Sequence, residues 1–466
     1  MTQPPNILFI LMDDLGWRDL TCYGSSFHET PCLDRLAGQG MLFTDAYAAC
    51  PVCSPTRASL LTGKYPATLG LTDWIDWGHW LHPCRGRVVD VPYIDHLPLG
   101  EQSVAATLRA AGYQTWHVGK WHLGGPGFYP EQHGFEVNIG GCEWGCPSKG
   151  YFSPWSIPVL PDGTPGEYLT DRLTDEAIRL IRKRDRRPFF LNLWHYAVHT
   201  PIQAPAQLVA KYEAKARAMG LDAQQVLVEG EFFPCEHKRH ERVRRRVLQS
   251  DPTYAAMMEN LDWNTSRLLK ALAQTGALDS TIVIFTSDNG GLATAESSPT
   301  SNRPLAEGKG WMYEGGTREP LLVCWPGVTR PGSRCSVPVT SPDLYPTLLE
   351  MARLKPLPEQ HRDGISFVPL LKGADALARE AIFWHYPHYG NQGGTPGSSV
   401  RAGDWKLIEF FEDGRLELYN LRDDIGEARN VAAGNPGIVQ ELHTLLADWR
   451  ASVEAKIPQP NPDFRG

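Results

Sequence analysis

A chain of 466 residues, 42% of them hydrophobic and 21% charged, has the make-up of a folded enzyme with length for roughly two to three domains. Its formal charge of -8 excludes a general nucleic-acid binder, which needs a basic surface to neutralise phosphates. No run of ~18 or more apolar residues occurs, so no membrane-spanning helix is expected.

The first five residues run straight into NILFILM (6–12), with neither a basic leader nor a small-residue cleavage site. That apolar run therefore reads as a buried strand, and the chain as cytoplasmic. Asp13 and Asp14 follow it directly. The segment CSPTRASLLTGK (53–64) sets a proline two positions and an arginine four positions after Cys53, ahead of a helix-like run. Trp74, Trp77 and Trp80 come next; their faces suit stacking on a sugar or aryl group, or packing within a loop. Arg85 and Arg87 are candidates for a second anionic group. SVAATLRAAG (103–112) predicts a helix stopped by its glycine, and GYQTWHVGK (112–120) a strand leading to Lys120 and His122.

PFFLNLWHY (188–196) predicts another strand, ahead of His199; His195 reads as a pocket-wall or core residue. Residues 237–246, HKRHERVRRR, carry six Lys/Arg against one Glu and read as a solvated helix face or flexible insertion. TYAAMMENLDWNTSRLLKALAQTG (253–276) is the longest helix, closed by Gly276. STIVIFTSD (280–288) ends at Asp288 and Asn289, and PLLVCWPG (320–327) is a further strand. From about residue 376 the texture changes. A hairpin turning at Asp413-Gly414 and a helix over 436–456 predict a C-terminal α+β subdomain, 376–466, after a catalytic domain, 1–375. His385 and His388 are candidates to enter the cleft from it.

Short apolar runs separated by amphipathic helices predict an α/β fold with its sheet covered on both faces. Such sheets bind ligands beyond the carboxyl ends of their strands, where the polar residues above fall. Asp13 with Asp14, and Asp288 with Asn289, are hard-oxygen pairs suited to a divalent cation; without one, the carboxylates repel each other. Each motif alone also reads as a strand exit or a turn. The ten cysteines are scattered and read as reduced thiols. The counter-reading is a four-sulfur zinc site from Cys50, Cys53, Cys142 and Cys146.

NILFILMDDLG, CSPTRASLLTGK, GKWHLG, HYAVHTP, FTSDNGG, GKGWMYEGGTREP and GDWKLI with LELYNL occur in this order along nearly the whole chain. In these pieces the chain resembles the type I, formylglycine-dependent sulfatases of the alkaline phosphatase superfamily. The resemblance implies a large mixed β-sheet sandwiched between helices and hydrolysis of a sulfate ester, on a small molecule or an oligosaccharide. It implies one divalent cation, Ca²⁺ ahead of Mg²⁺ or Mn²⁺, held by Asp13, Asp14, Asp288, Asn289 and the group at Cys53. It also implies a maturation enzyme that oxidises Cys53 to formylglycine; homo-oligomerisation is left open.

Arg57 would brace the formylglycine, Lys120 and His122 would reach its hydrate and the sulfate, and His199 and Lys309 would contact the sulfate and leaving group. The hydrate would attack sulfur, and its second hydroxyl would then release sulfate and restore the aldehyde. His199, with an ordinary pKa near ~6.5, is the better general acid than Lys309. The chain departs from the family in having Thr56 where serine is common. It also lacks a clear match for a serine near the sulfate, for which Ser148 and Ser153 are candidates. The rival readings are a phosphonate monoester hydrolase or phosphodiesterase with the same site, and a binding homologue that never receives the modification.

Overall fold

In the strand Asn6–Met12, Leu8, Ile10 and Met12 point into one apolar core and Ile7, Phe9 and Leu11 into another. This period of two, apolar on both faces, is what a central strand with helices above and below it requires. The computed structural model describes residues 4–76 and 81–465. In chain order, the strands of its main sheet are β1 (Asn6–Met12), β2 (Met41–Tyr47), β3 (Gln114–Gly119), β4 (Val137–Ile139), β5 (Phe189–Trp194), β6 (Thr281–Ser287), β7 (Arg318–Cys324), β8 (Ser333–Cys335) and β9 (Val339–Thr340).

The strands lie in the order β8-β2-β7-β6-β1-β5-β3-β4, with β9 also paired to β2. β1 is parallel to β5 and β6, and β3 is parallel to β5 and β4. β7 alone runs against its neighbours β6 and β2, which makes the sheet mixed. Leu169–Lys183 and Pro252–Gln274 supply the helical side of one core through residues such as Leu173, Ile181, Met258 and Leu268. Cys53–Thr62, Val104–Ala110 and Leu344–Met351 supply the other through Leu60, Leu108 and Leu348. This is the expected α/β arrangement, with helices on both faces of a large mixed sheet.

The strands Ile382–Tyr386, Gly397–Ala402, Trp405–Phe410 and Leu416–Asn420 form a second, antiparallel sheet. Val400, Leu407 and Leu418 pack there against Leu442 and Leu446 of the helix Pro436–Ser452. The basic segment differs from its expectation. Arg242–Arg246 is a strand paired antiparallel with Leu227–Phe232; Val243 points inward, and Arg245 forms ion pairs with Glu231 and Glu307, each at 2.7 Å. Counter-charges on the partner strand and a neighbouring loop make an extended, paired conformation favourable where a run of like charges suggests a solvated helix. Among the described residues no helix is long and apolar enough to cross a membrane.

Gly119 closes β3 opposite Trp194 with φ +107°, and a Cβ there would lie 1.9 Å from the Trp194 carbonyl oxygen. Gly119→Ala should therefore lower stability by about 2–4 kcal/mol, combining left-handed strain with a backbone clash. A urea unfolding midpoint that falls at unchanged m would register it.

Candidate active site

β6, β1, β5 and β3 lie side by side and run parallel, so all four release their chains at one edge of the sheet. Asp288 and Asn289, Asp13 and Asp14, the turn to His199, and Lys120 with His122 emerge there. β2 has the same direction, because it and β6 both oppose β7; beyond it the chain enters the helix Cys53–Thr62. β7 runs the other way, so the loop before it, carrying Lys309, arrives at this same edge.

All ten residues of the nucleophile-candidate helix are buried, and Gly63 ends it at φ 71° with its N–H on the Ser59 carbonyl. Cys53 sits in its first turn, where the helix dipole favours negative charge. The Cys53 Sγ is 3.3 Å from His122 Nδ1. His122 Nε2 lies 2.9 Å from the Ile75 carbonyl and donates to it, which leaves Nδ1 as the acceptor for the thiol. Gly145 permits this packing, since a Cβ there would lie 2.6 Å from the imidazole. Asp14 and His122 hold left-handed backbone at φ 62° and 58°, a conformation costing roughly 1–3 kcal/mol each. Burial pushes the Cys53 thiol pKa upward, with Lys120 and Lys309 opposing, so an unmodified Cys53 is a neutral thiol.

Three carboxylates and three cations interlock beside it. Lys120 Nζ is 2.7 Å from Asp13 Oδ2. Arg57 donates through Nε to Asp288 Oδ2 at 2.8 Å and through Nη1 to the Lys120 carbonyl at 3.1 Å, and its Nη2 lies 2.7 Å from the same Asp288 oxygen as an ion-pair contact. Lys309 Nζ reaches Asp14 Oδ1 at 2.8 Å and His199 Nε2 at 3.0 Å. Burial raises the Asp13 pKa against the opposing pull of Lys120. Burial works to raise Asp14 as well, but Lys309 and His199 hold it below the usual carboxylate range. Burial, followed by Lys309, lowers His199 to about 3. The expected brace therefore acts through its neighbours: the hydrogen bonds of Arg57 go to Asp288 and the Lys120 backbone.

The oxygens fit a hard cation. Asp13 Oδ1 and Asn289 Oδ1 are buried without a hydrogen-bond partner, while Asn289 Nδ2 donates to Asp14 Oδ1 at 2.9 Å. Asp288 Oδ1 accepts only a long 3.3 Å contact from the Asp14 N–H. Such an all-oxygen set, with carboxylates in excess, suits Ca²⁺ or Mg²⁺.

Cys53, His122, His199 and Lys309 open onto a cleft of about 580 Å³. The sequence reading missed most of its walls: Asp76, Glu143, Trp144, Glu296, Asn391 and Gln392. These are single loop positions with no periodicity or paired partner to mark them. Trp74 lines the cleft as an aromatic wall, whereas Trp77 and Trp80 lie outside the described residues. Ser148 lines it too; Ser153 instead donates to the Gly163 carbonyl.

Other candidates fall elsewhere. His385 is buried against Ser398 and the Lys456 carbonyl, and His388 against Thr72, so neither faces the cleft. His195 is a buried core residue. Arg85 approaches Asp463, and Arg87 lines a separate depression beside Arg239 and Arg415. The four sulfurs of the zinc counter-reading contact different groups: Cys50 the Thr72 carbonyl, Cys53 His122, Cys142 Tyr196 and Cys146 Ser148.

A family model described as Sulfatase matches residues 5–354. A second, described as N-sulphoglucosamine sulphohydrolase, C-terminal, matches residues 307–452. The chain is 33% identical to a sulfatase of Formosa agariphila, over 99% of its own length and 93% of the relative's. It is 34% identical to arylsulfatase A of Homo sapiens, over 96% and 87% respectively. The crystal structure of Ps i-CgsB in complex with k-i-k-neocarrahexaose is similar with a TM-score of 0.76 at 28% identity, covering 96% of this chain and 93% of that one.

If Asp13, Asp14, Asp288 and Asn289 bind a cation in the folded state alone, Ca²⁺ added to chelator-treated protein should raise Tm. The gain should reach about 2.7 kcal/mol at a hundredfold excess over Kd. Asp288→Ala should abolish that response in a thermal melt.

Proposed function

The chain belongs to the sulfatase family and is a sulfuric ester hydrolase, and from that premise we propose that it cleaves a sulfated carbohydrate or aryl sulfate with a formylglycine made from Cys53. The observation that carries this reading is the placement of Cys53 on the cleft floor, against His122 and beside the interlocked carboxylates and cations. A neutral buried thiol is a poor nucleophile, whereas a formylglycine hydrate supplies one hydroxyl for attack and another for release. A divalent cation on Asp13, Asp14, Asp288 and Asn289, with Ca²⁺ the first choice, would supply Lewis-acid stabilisation of sulfate oxygens.

The chain's own residues do the rest. Arg57 and Lys120 offset the carboxylates and keep them in place. His122, fixed by the Ile75 carbonyl, orients the group at position 53 through Nδ1. Lys309 and His199 meet the ester from the open side; the His199 side chain keeps 12% exposure there. His199 Nδ1 donates to the Thr200 carbonyl at 2.9 Å, so in the neutral ring Nε2 accepts from Lys309 at 3.0 Å. With a pKa of about 3 in the free site, His199 must take up a proton once the ester is bound before it can protonate the leaving oxygen.

Trp74 and Trp144 give the cleft two aromatic surfaces suited to a sugar face, in keeping with the oligosaccharide bound by Ps i-CgsB. Residues 376–466 act in this reading as the α+β subdomain that contributes Asn391 and Gln392 to the cleft. With Cys53 only 3% exposed in a fully buried helix, its maturation enzyme acts on the chain before folding is complete.

Peptide mass spectrometry across residues 50–64 from the native host should find the mass of formylglycine at position 53 in active protein; an active preparation carrying the thiol would contradict the mechanism. Rates on aryl sulfates should exceed those on aryl phosphonates and phosphodiesters. His199→Ala should lower kcat by about 10²–10⁴ on alkyl or sugar sulfates. The loss should shrink for nitrophenyl sulfate, whose leaving group needs no proton; an equal loss on both would remove His199 from that role.

A further inference from the structure

The basic segment 237–246 takes no part in the charge cluster around Cys53, yet it borders the cleft. Lys238 Nζ donates at 2.9 Å to the carbonyl of Asn391, a cleft residue. Glu296 lines the cleft and also a groove of about 210 Å³ beside it, walled by Lys238, Arg242 and Arg244. Phe233 lines that groove and a further depression of about 600 Å³, walled by Arg87, Arg239, Arg415 and Arg465. Cleft, groove and depression therefore follow one another along the surface. Inside the cleft the charge is reversed, with Asp76, Glu143 and Glu296 set against Lys309.

Pairing divides the cations of this path into two sets. Arg245 shares the face of the buried Val243 and meets Glu231 and Glu307, while Arg415 meets Asp413 and Glu417. Arg242 and Arg244 take the opposite face of the strand, as its period of two requires. They, Arg87, Arg239 and Arg465 are exposed and form no ion pair with a carboxylate among the described residues. A chain of formal charge -8 has carboxylates to spare, so bare guanidiniums gathered along one path are a local excess. Of the carboxylates there, Glu412 accepts the Tyr389 hydroxyl at 2.8 Å and Glu296 the Gln392 amide at 2.9 Å, while Glu241 is exposed.

Two of the bare side chains are held in place. Arg242 Nη1 donates to the Gly230 carbonyl at 2.7 Å, with its guanidinium 4.3 Å over the Phe232 ring, and Arg239 Nε is 3.1 Å from His240 Nε2. A guanidinium already fixed loses less entropy on binding, and its planar fork suits a tetrahedral oxyanion. Phe232 is 51% and Phe464 38% exposed; the first lies under Arg242 and the second lines the depression. Exposed rings beside free guanidiniums give a sugar an apolar surface for its face and cations for its anionic substituents.

We propose that the groove and depression bind further sulfate groups of an oligosaccharide whose reacting ester lies in the cleft, which makes the preferred substrate a multiply sulfated chain. This rests on the reading of the cleft as a carbohydrate sulfatase site and adds the part of the substrate that lies outside it. The acidic cleft walls repel a second sulfate next to the reacting one, whereas the basic path attracts sulfates farther along the chain. A nucleic acid is also a polyanion, but this path leads into a cleft built around sulfate-ester chemistry, which favours the saccharide.

The test is calorimetric titration of full-length protein with persulfated maltohexaose, at low and at physiological salt, beside the unsulfated hexasaccharide. The sulfated probe should bind, more weakly as salt rises, and the unsulfated one should not. The combined variant Arg239→Ala, Arg242→Ala and Arg244→Ala should weaken binding about tenfold and flatten its salt dependence, with the rate on nitrophenyl sulfate unchanged. Arg87→Ala with Arg465→Ala should act in the same direction and carries the test if the first variant fails to fold. Undiminished binding in both variants overturns the proposal. So does a single-stranded oligonucleotide of equal charge that binds as tightly as the saccharide, since the path would then be a general anion surface. Hydrolysis of nitrophenyl sulfate without binding of the sulfated probe overturns this proposal and leaves the sulfatase chemistry; binding without hydrolysis of either ester does the reverse.

Discussion

Buried charge is the constraint around which this molecule is arranged. Asp13, Asp14 and Asp288 are buried together with Arg57, Lys120 and Lys309 at the base of the cleft. Taking even one such ion out of water costs several kcal/mol, and its partner offsets that only with good geometry. The cluster is therefore a poor source of stability and a demanding neighbour for the rest of the fold. Two apolar cores, one on each face of the main sheet, hold the strand ends rigid enough for the pairs to meet.

That rigidity turns a costly arrangement into a useful one. Side chains already aligned around fixed charges need little reorganisation when a charged ester arrives, which is how preorganised sites stabilise developing charge. The left-handed backbone at Asp14 and His122 fits the same picture, with strain held where the surrounding packing leaves no alternative. Farther out, the cleft is assembled from loops: Trp74 to Asp76 on one side, Glu143 to Cys146 on another, and Asn391 with Gln392 from the region of the second sheet. In the proposed function, selectivity for the alcohol resides in these loops, while the charge cluster handles the sulfate.

Much of the centre was legible in the sequence because the groups that meet there are carried on local motifs. An apolar strand followed at once by Asp13-Asp14 or Asp288-Asn289 announces both the strand and the acidic exit, and the structure brings these together with Cys53, Lys120, His122, His199 and Lys309. Where the signal depended on distant partners it failed. β2 carries Thr44 and Asp45 among its apolar residues, and its pairing with β7 is invisible along the chain. The basic segment pairs as a strand because Glu231 and Glu307 supply charge from elsewhere. His385 and His388 turned out to be buried, since nothing local records which face of a strand or loop is covered.

By itself, the sequence determined the α/β alternation, the candidate site residues and the type of donor each offers, because hydrophobic period and side-chain chemistry are local properties. Only the tertiary structure decided that Arg57 braces Asp288 and the Lys120 backbone, and that Asn289 and Lys309 share Asp14. It alone juxtaposed Asp73 and Asp90 with His388, some 300 residues away in the chain. Such contacts follow from strand order and direction, and those depend on how the whole chain buries its apolar faces at once.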